Sequence, residues 1–109
     1  MVKNTLKGLC VSPGYVQGKA RVVAGPDDME DVKCDEILIL PESHPMYALA
    51  VMKAAGLICE NGGKLSHICI VAMEMGIPCI TQVHGATEKI SCGQMISVNA
   101  DEGEVEWDG

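Results

Sequence analysis

His67 stands in a setting that can do chemistry. It follows Gly62, Gly63, Lys64, Leu65 and Ser66 and opens an almost wholly apolar run, "HICIVAMEM", which stops at Gly76, Ile77 and Pro78. The run has helix length and Gly76 suits a left-handed cap, so a helix is predicted from Ser66 or His67 to Met75. The first turn of a helix offers unpaired amide N–H groups and the positive end of the peptide dipoles, an environment that favours an anion. Gly62 and Gly63 allow positive φ or close approach, Ser66 can cap the helix or donate its hydroxyl, and Lys64 adds a positive charge. Gly62, Gly63, Lys64 and Ser66 are therefore the candidate phosphate-binding residues, with His67 as the candidate nucleophile. A neutral imidazole nitrogen can attack phosphorus, and the P–N bond formed is labile enough for the group to be passed on.

Plainer readings stand beside this one. A lone histidine at a helix start is often only a polar end residue, Lys64 a solvated lysine, Ser66 an ordinary N-cap and "ICIVAMEM" a core helix. His44, before Pro45, and His84 lie in predicted loops without the neighbours a nucleophile needs. Cys69, two residues beyond His67, falls on a different helix face and is not a catalytic candidate.

The surrounding elements read as a small α/β domain. Leu6–Val11 and Gly18–Ala24 are predicted strands separated by the turn "SPG". The acidic stretch "GPDDMEDVKCDE" reads as a connection leading to "EILILP", a continuous apolar run that suits a strand buried on both faces. A helix from Met46 to Ala55 closing at Gly56 and a strand "GLICE" follow, making strand, helix, strand with a parallel crossover. Beyond the His67 helix, "PCITQ" is a strand and "GATEKISCGQ" a polar connection with a turn at Cys92–Gln94. "MISVNA" and "GEVEW" form a closing hairpin, and with helices confined to the middle the fold is layered α/β.

Composition narrows the functional classes. The chain has 109 residues, 48% of them apolar, enough for one compact, soluble domain spanning 1–109. A net charge of −7, scattered Lys and Arg, and no Phe argue against nucleic-acid binding. No apolar run has membrane-span length and the N-terminus lacks a signal-peptide core, so no membrane association and a cytoplasmic location are expected. The six cysteines have no CxxC and no paired histidine spacing, so no metal site is expected and reduced thiols are.

The segment "GGKLSHICIVAMEMGIP" resembles the phosphohistidine signature of the mobile, or swivelling, domain of PEP-utilising enzymes, as in phosphoenolpyruvate synthase, pyruvate phosphate dikinase and enzyme I of the sugar phosphotransferase system. Gly62, Gly63, Ser66, His67, Ala72, Glu74, Gly76, Ile77 and Pro78 carry the match. "GLCVSPGYVQGKARV", "EILILPESHPMYALAVMKAAGLICENGG" and "GATEKISCGQMISVNADEGEV" extend it over nearly the whole chain. Leu65 stands where the family usually has Thr, Met73 where it has Arg, and Gln82 where it has Gly.

The resemblance implies a three-layer β/β/α domain and a phosphoryl carrier. His67 would be phosphorylated at Nε2, with Gly62, Gly63 and Ser66 shaping its loop. It further implies partners: an ATP-grasp nucleotide-binding domain and a barrel that binds pyruvate or phosphoenolpyruvate, in trans or within a longer protein. No cofactor is expected on this domain; Mg2+ and ATP or phosphoenolpyruvate are expected on the partner domains. The competing reading is a binding or regulatory module that keeps the fold without the chemistry, a third a carrier serving another acceptor.

Overall fold

The computed structural model describes residues 3–25, 33 and 35–108. Most of the acidic connection after Gly25, and Cys34 within it, lie outside the described residues. The strands are β1 (Lys3–Lys7), β2 (Leu9–Ser12), β3 (Tyr15–Val22), β4 (Ile37–Leu40), β5 (Gly56–Cys59), β6 (Cys79–Thr81), β7 (Met95–Asn99) and β8 (Glu104–Asp108). The helices are α1 (Ala48–Lys53), α2 (His67–Met75) and the four-residue α3 (Ala86–Lys89).

Strands β4 and β5 are buried at every position, as a continuous apolar run requires when both faces are covered. Leu38, Leu40, Leu57, Cys59 and Cys79 pack in one cluster with Val51, Ile68, Cys69 and Ala72 of the helices. Ile37, Ile39, Ile58 and Ile80, of opposite parity on the same strands, pack in a second cluster with Ile96, Val98, Val105 and Trp107. Alternation of side chains across a strand turns these runs into two cores. The result is the expected three-layer β/β/α architecture, helices on one side of the central sheet and a second sheet on the other.

The strand order is β1-β8-β7-β3-β4-β5-β6-β2. β3 joins the two sheets, pairing antiparallel with β7 over Tyr15–Lys19 and parallel with β4 over Ala20–Val22. β4, β5 and β6 run parallel, as the crossover reading requires. β1 and β2 occupy opposite ends of the order although only Gly8 separates them.

That last point corrects the single strand expected over Leu6–Val11. The chain changes sheets at Gly8, whose amide donates to the Gly103 carbonyl at 2.9 Å. A Cβ on Gly8 would stand 2.5 Å from both the Thr81 carbonyl oxygen and Val83 Cγ2. Three further expectations shift. β3 begins at Tyr15 rather than Gly18 because its first half pairs with β7. The helix expected from Met46 to Ala55 is a 3-10 turn, Pro45–Tyr47, leading into α1, and it stops at Ala54 in an extended conformation rather than at a glycine cap. The polar connection before Cys92 contains α3.

Two stability predictions follow from these contacts. Gly8→Ala forces a methyl against fixed backbone, an overpacking expected to cost about 1–3 kcal/mol in denaturant unfolding. The second concerns Arg21, whose Nε and Nη2 donate to the Glu36 carboxylate at 3.1–3.3 Å, while the Lys33 amide donates at 2.7 Å. Burial pushes the Glu36 carboxyl up, but the Lys33 amide and then Arg21 outweigh it and leave it below the ordinary value of 4.5. A depressed carboxyl stabilises the fold above its unfolded pKa and loses that contribution as pH falls through the folded value. Glu36→Gln is therefore expected to cost about 1–2 kcal/mol at pH 7, with the difference from wild type shrinking below about pH 4; a constant difference across that range would refute the assignment.

Candidate functional site

Three loops leave the carboxyl ends of the parallel strands: 41–44 after β4, 60–66 after β5 and 82–85 after β6. This is the end at which open parallel sheets place ligands. The ladder continues past the strands and holds the loops together, with Glu60 N–H donating to the Leu40 carbonyl and Val83 N–H to the Cys59 carbonyl, at 2.9 and 3.1 Å.

His67 is the first residue of α2 and its side chain is exposed. The helix ends as expected at Gly76, φ 69°, whose amide reaches the Ala72 and Met73 carbonyls. Its buried stripe is Ile68, Cys69 and Ala72, so α2 is not wholly a core helix: Ile70, Met73 and Met75 remain exposed on it. Other exposed apolar side chains are Leu65, 78% exposed, and Leu49 and Met46, on α1 and the turn before it, 74% and 61%.

The loop before His67 is pinned from several directions. Gly62 takes φ 126°, a conformation that favours glycine, and its carbonyl accepts from the buried Thr81 hydroxyl at 2.8 Å. Ser66 N–H donates to the Gly63 carbonyl at 3.1 Å, closing a turn through Lys64 and Leu65. Asn61 Nδ2 donates to the Pro41 carbonyl at 3.0 Å. The Glu60 carboxylate accepts from the Thr87 amide at 2.6 Å and from the Thr87 hydroxyl, tying the loop to the start of α3.

Of the expected site residues, Gly62, Gly63, Lys64, Ser66 and His67 form one continuous loop and helix start. Gly63 and Lys64 are exposed. Ser66 occupies the N-cap position, but its hydroxyl makes no capping bond. Its Oγ is buried, beside the Cys69 thiol. The cap comes instead from Ser43, whose Oγ accepts from the Ile68 amide at 3.2 Å. Ser43 and Thr81 are the residues that sequence reasoning missed. Both act across the fold, 25 and 19 residues from their partners in the loop, so no local pattern announces them.

His44 and His84 are not brought into this set. His44 Nδ1 accepts from the Met46 amide at 3.1 Å, and its ring meets the edge of Tyr47 at 5.9 Å. His84 is exposed in the loop after β6. Cys10, Cys59, Cys69, Cys79 and Cys92 are free thiols. Hydrogen bonding with Cys59 first, and with Cys79 next, holds the Cys69 thiol well below the ordinary range, while the same contacts and burial push Cys59 and Cys79 up. Among the described residues, no group of three or more His, Cys, Asp or Glu side chains is placed to hold a metal ion.

The Ser43 cap carries a prediction. Ser43→Ala leaves the Ile68 amide without its acceptor and is expected to lower unfolding stability by about 1 kcal/mol. Ser43→Thr, which keeps the hydroxyl, should recover most of it in the same thermal melt.

Comparisons with known proteins identify the family and the fold. Residues 32–103 match the model of the PEP-utilising enzyme mobile domain. The chain is 35% identical over 98 residues to phosphoenolpyruvate synthase of Pyrococcus furiosus, covering 90% of this chain and 12% of that protein. It is 37% identical over 99 residues to phosphoenolpyruvate synthase of Aquifex aeolicus, covering 91% and 12%. The chain thus spans about an eighth of the length of these relatives. Among solved structures, a solution structure of Enzyme I matches with TM-score 0.60 at 22% identity, over 72% of this chain and 32% of that one. Aconitase X of Thermococcus kodakaraensis matches with TM-score 0.71 at 20% identity, over 97% and 99%. At those identities the structural likenesses concern the fold alone. The family match spans residues 32–103, which include the loop and α2, and the chain belongs to the PEP-utilising enzyme mobile domain family.

Proposed function

We propose that this domain is a phosphoryl carrier and that His67 is the residue phosphorylated. The observation that carries the reading is an exposed histidine as the first residue of α2, separated by three residues from a glycine pair whose first member is held at φ 126° with its carbonyl bonded by Thr81. In the step, the lone pair of a neutral ring nitrogen forms a bond to phosphorus as the P–O bond of the donor breaks. The departing oxygen takes that electron pair, and the other ring nitrogen keeps its proton. Delivery is the reverse with an acceptor oxygen in place of the donor's.

The cradle supplies what such a transfer asks of a protein, fixed donors and dipoles beside the developing charge. Amides of the loop and of the first helical turn are the donors, and Lys64 is a mobile counter-charge. Donor and acceptor sites belong to partner domains: an ATP-grasp domain holding ATP with Mg2+, and a barrel holding pyruvate or phosphoenolpyruvate. Family membership and the much greater length of the relatives support that division. Exposed Leu65, two residues before His67, and exposed Ile70 and Met73 on α2 fit a partner that covers the ring and excludes water during transfer. A cytoplasmic setting agrees with the free thiols.

The test is to incubate the domain with ATP or phosphoenolpyruvate and a family partner domain, then weigh the intact protein at alkaline pH. One acid-labile phosphate is expected on the wild type and none on His67→Ala, with the fold of the variant unchanged. An adduct retained by His67→Ala would move the chemistry to another residue. Absence of any adduct with donor-site partners would favour the binding-module reading.

A further inference from the structure

We propose that the amide of Gly63 is a donor to the phosphoryl group on His67, and that buried Thr81 is the positioning residue that aims it; the proposal rests on the carrier reading above. Gly62 C=O and Gly63 N–H belong to the same planar trans peptide, so they point in opposite directions. Thr81 is fully buried on β6, and its hydroxyl holds the Gly62 carbonyl at 2.8 Å. The carbonyl therefore points inward, and the Gly63 N–H points out of the domain.

That outward amide is available. Among the described residues Gly63 N–H has no acceptor within the chain, and apart from Gly63 and its two chain neighbours no atom lies within 4 Å of the place a Gly63 Cβ would take. It is also close to the nucleophile along the fold. The bond from Ser66 N–H to the Gly63 carbonyl closes a four-residue turn, and such a turn brings its ends within about 7 Å. His67 follows at once.

The arrangement also gives the polar side chain in the core at position 81 its partner. A buried hydroxyl must find an acceptor, and here the acceptor is the Gly62 carbonyl, whose orientation fixes that of the Gly63 N–H. Gly62 is the hinge of this geometry. Its φ of 126° is open to glycine, and a Cβ there would lie 3.3 Å from Ser43 Cβ, the residue that caps α2. Helix cap and donor loop are thus packed against each other.

The experiment uses potassium phosphoramidate, a small P–N donor that can phosphorylate an exposed imidazole without a protein partner. Its amine leaves as ammonia while the ring nitrogen takes the phosphoryl group. The rate of adduct formation at His67 is followed by intact mass in a His44→Gln, His84→Gln background, for the parent, Thr81→Val and Thr81→Ser, with 1H–15N spectra of each. Thr81→Val, folded by its spectrum, is expected to react about tenfold more slowly, the equivalent of one modest hydrogen bond. Thr81→Ser should restore the rate. The Gly63 amide resonance should move downfield when the parent or Thr81→Ser is phosphorylated, and should not do so in Thr81→Val.

Equal rates in the parent and a folded Thr81→Val would overturn the role of Thr81. A Gly63 resonance unmoved by phosphorylation of the parent would overturn the donor assignment without any Thr81 variant. Failure of the parent to react at His67 would overturn both. Because phosphoramidate needs no partner domain, a negative result with ATP or phosphoenolpyruvate would remove the carrier reading while leaving this outcome separately readable.

Discussion

Burial of β4, β5 and β6 on both faces is the constraint from which the rest of the structure follows. Strands covered on one side by α1 and α2 and on the other by β7 and β8 expose polar backbone only at their ends. Each crossover must then leave from a carboxyl end, and three loops meet there. The ladder bonds that run past the strand ends, from Glu60 to Leu40 and from Val83 to Cys59, turn that meeting into fixed geometry. The site rests on the same backbone ladder as the core.

The chain also passes directly from one end of the strand order to the other, at Gly8 between β1 and β2. The approach is backbone on backbone: a Cβ on Gly103 would stand 2.4 Å from the Gly8 carbonyl oxygen. β2 then pairs with β6, so the strand that carries Thr81 is covered on its outer edge as well. A loop anchor on an open edge strand would move with fraying of that edge; here it does not.

What could be read from the sequence was what depends on local pattern. "EILILP" and "GLICE" announce doubly buried strands by continuous apolarity, and α2 is bounded by His67 and Gly76 as its caps suggest. The layered α/β class and the set Gly62, Gly63, Lys64, Ser66 and His67 came from the same kind of signal. The break at Gly8 was hidden because a single glycine within an apolar run looks the same whether the strand continues or changes sheet. Ser66 was the natural cap by position, yet Ser43 holds the Ile68 amide, a choice made by the packing of two loops. Thr81 read only as one residue of a strand, since its partner is a carbonyl whose direction depends on the φ of Gly62. Four-residue α3 fell below the length at which periodicity carries information.

In the carrier role proposed for it, His67 would face opposing demands, which the loop could meet with different atoms. The imidazole must be reachable from two sites in turn, so it has to stand in solvent, where a phosphoryl group gains little from screened charges. Donors that help there must be fixed before the group arrives, because ordering them at the moment of transfer would consume the stabilisation they bring. Side chains on the surface cannot be fixed cheaply: Lys64 is exposed and would lose rotamer freedom with every contact. Backbone amides held from behind have no such cost. Thr81 holds the loop's Gly62 carbonyl and Ser43 the Ile68 amide of α2 from neighbouring elements, while the loop's own Asn61 and Glu60 tie it to Pro41 and Thr87. Rigidity is thereby placed beneath the site and accessibility above it, which is the division a group passed between two partners requires.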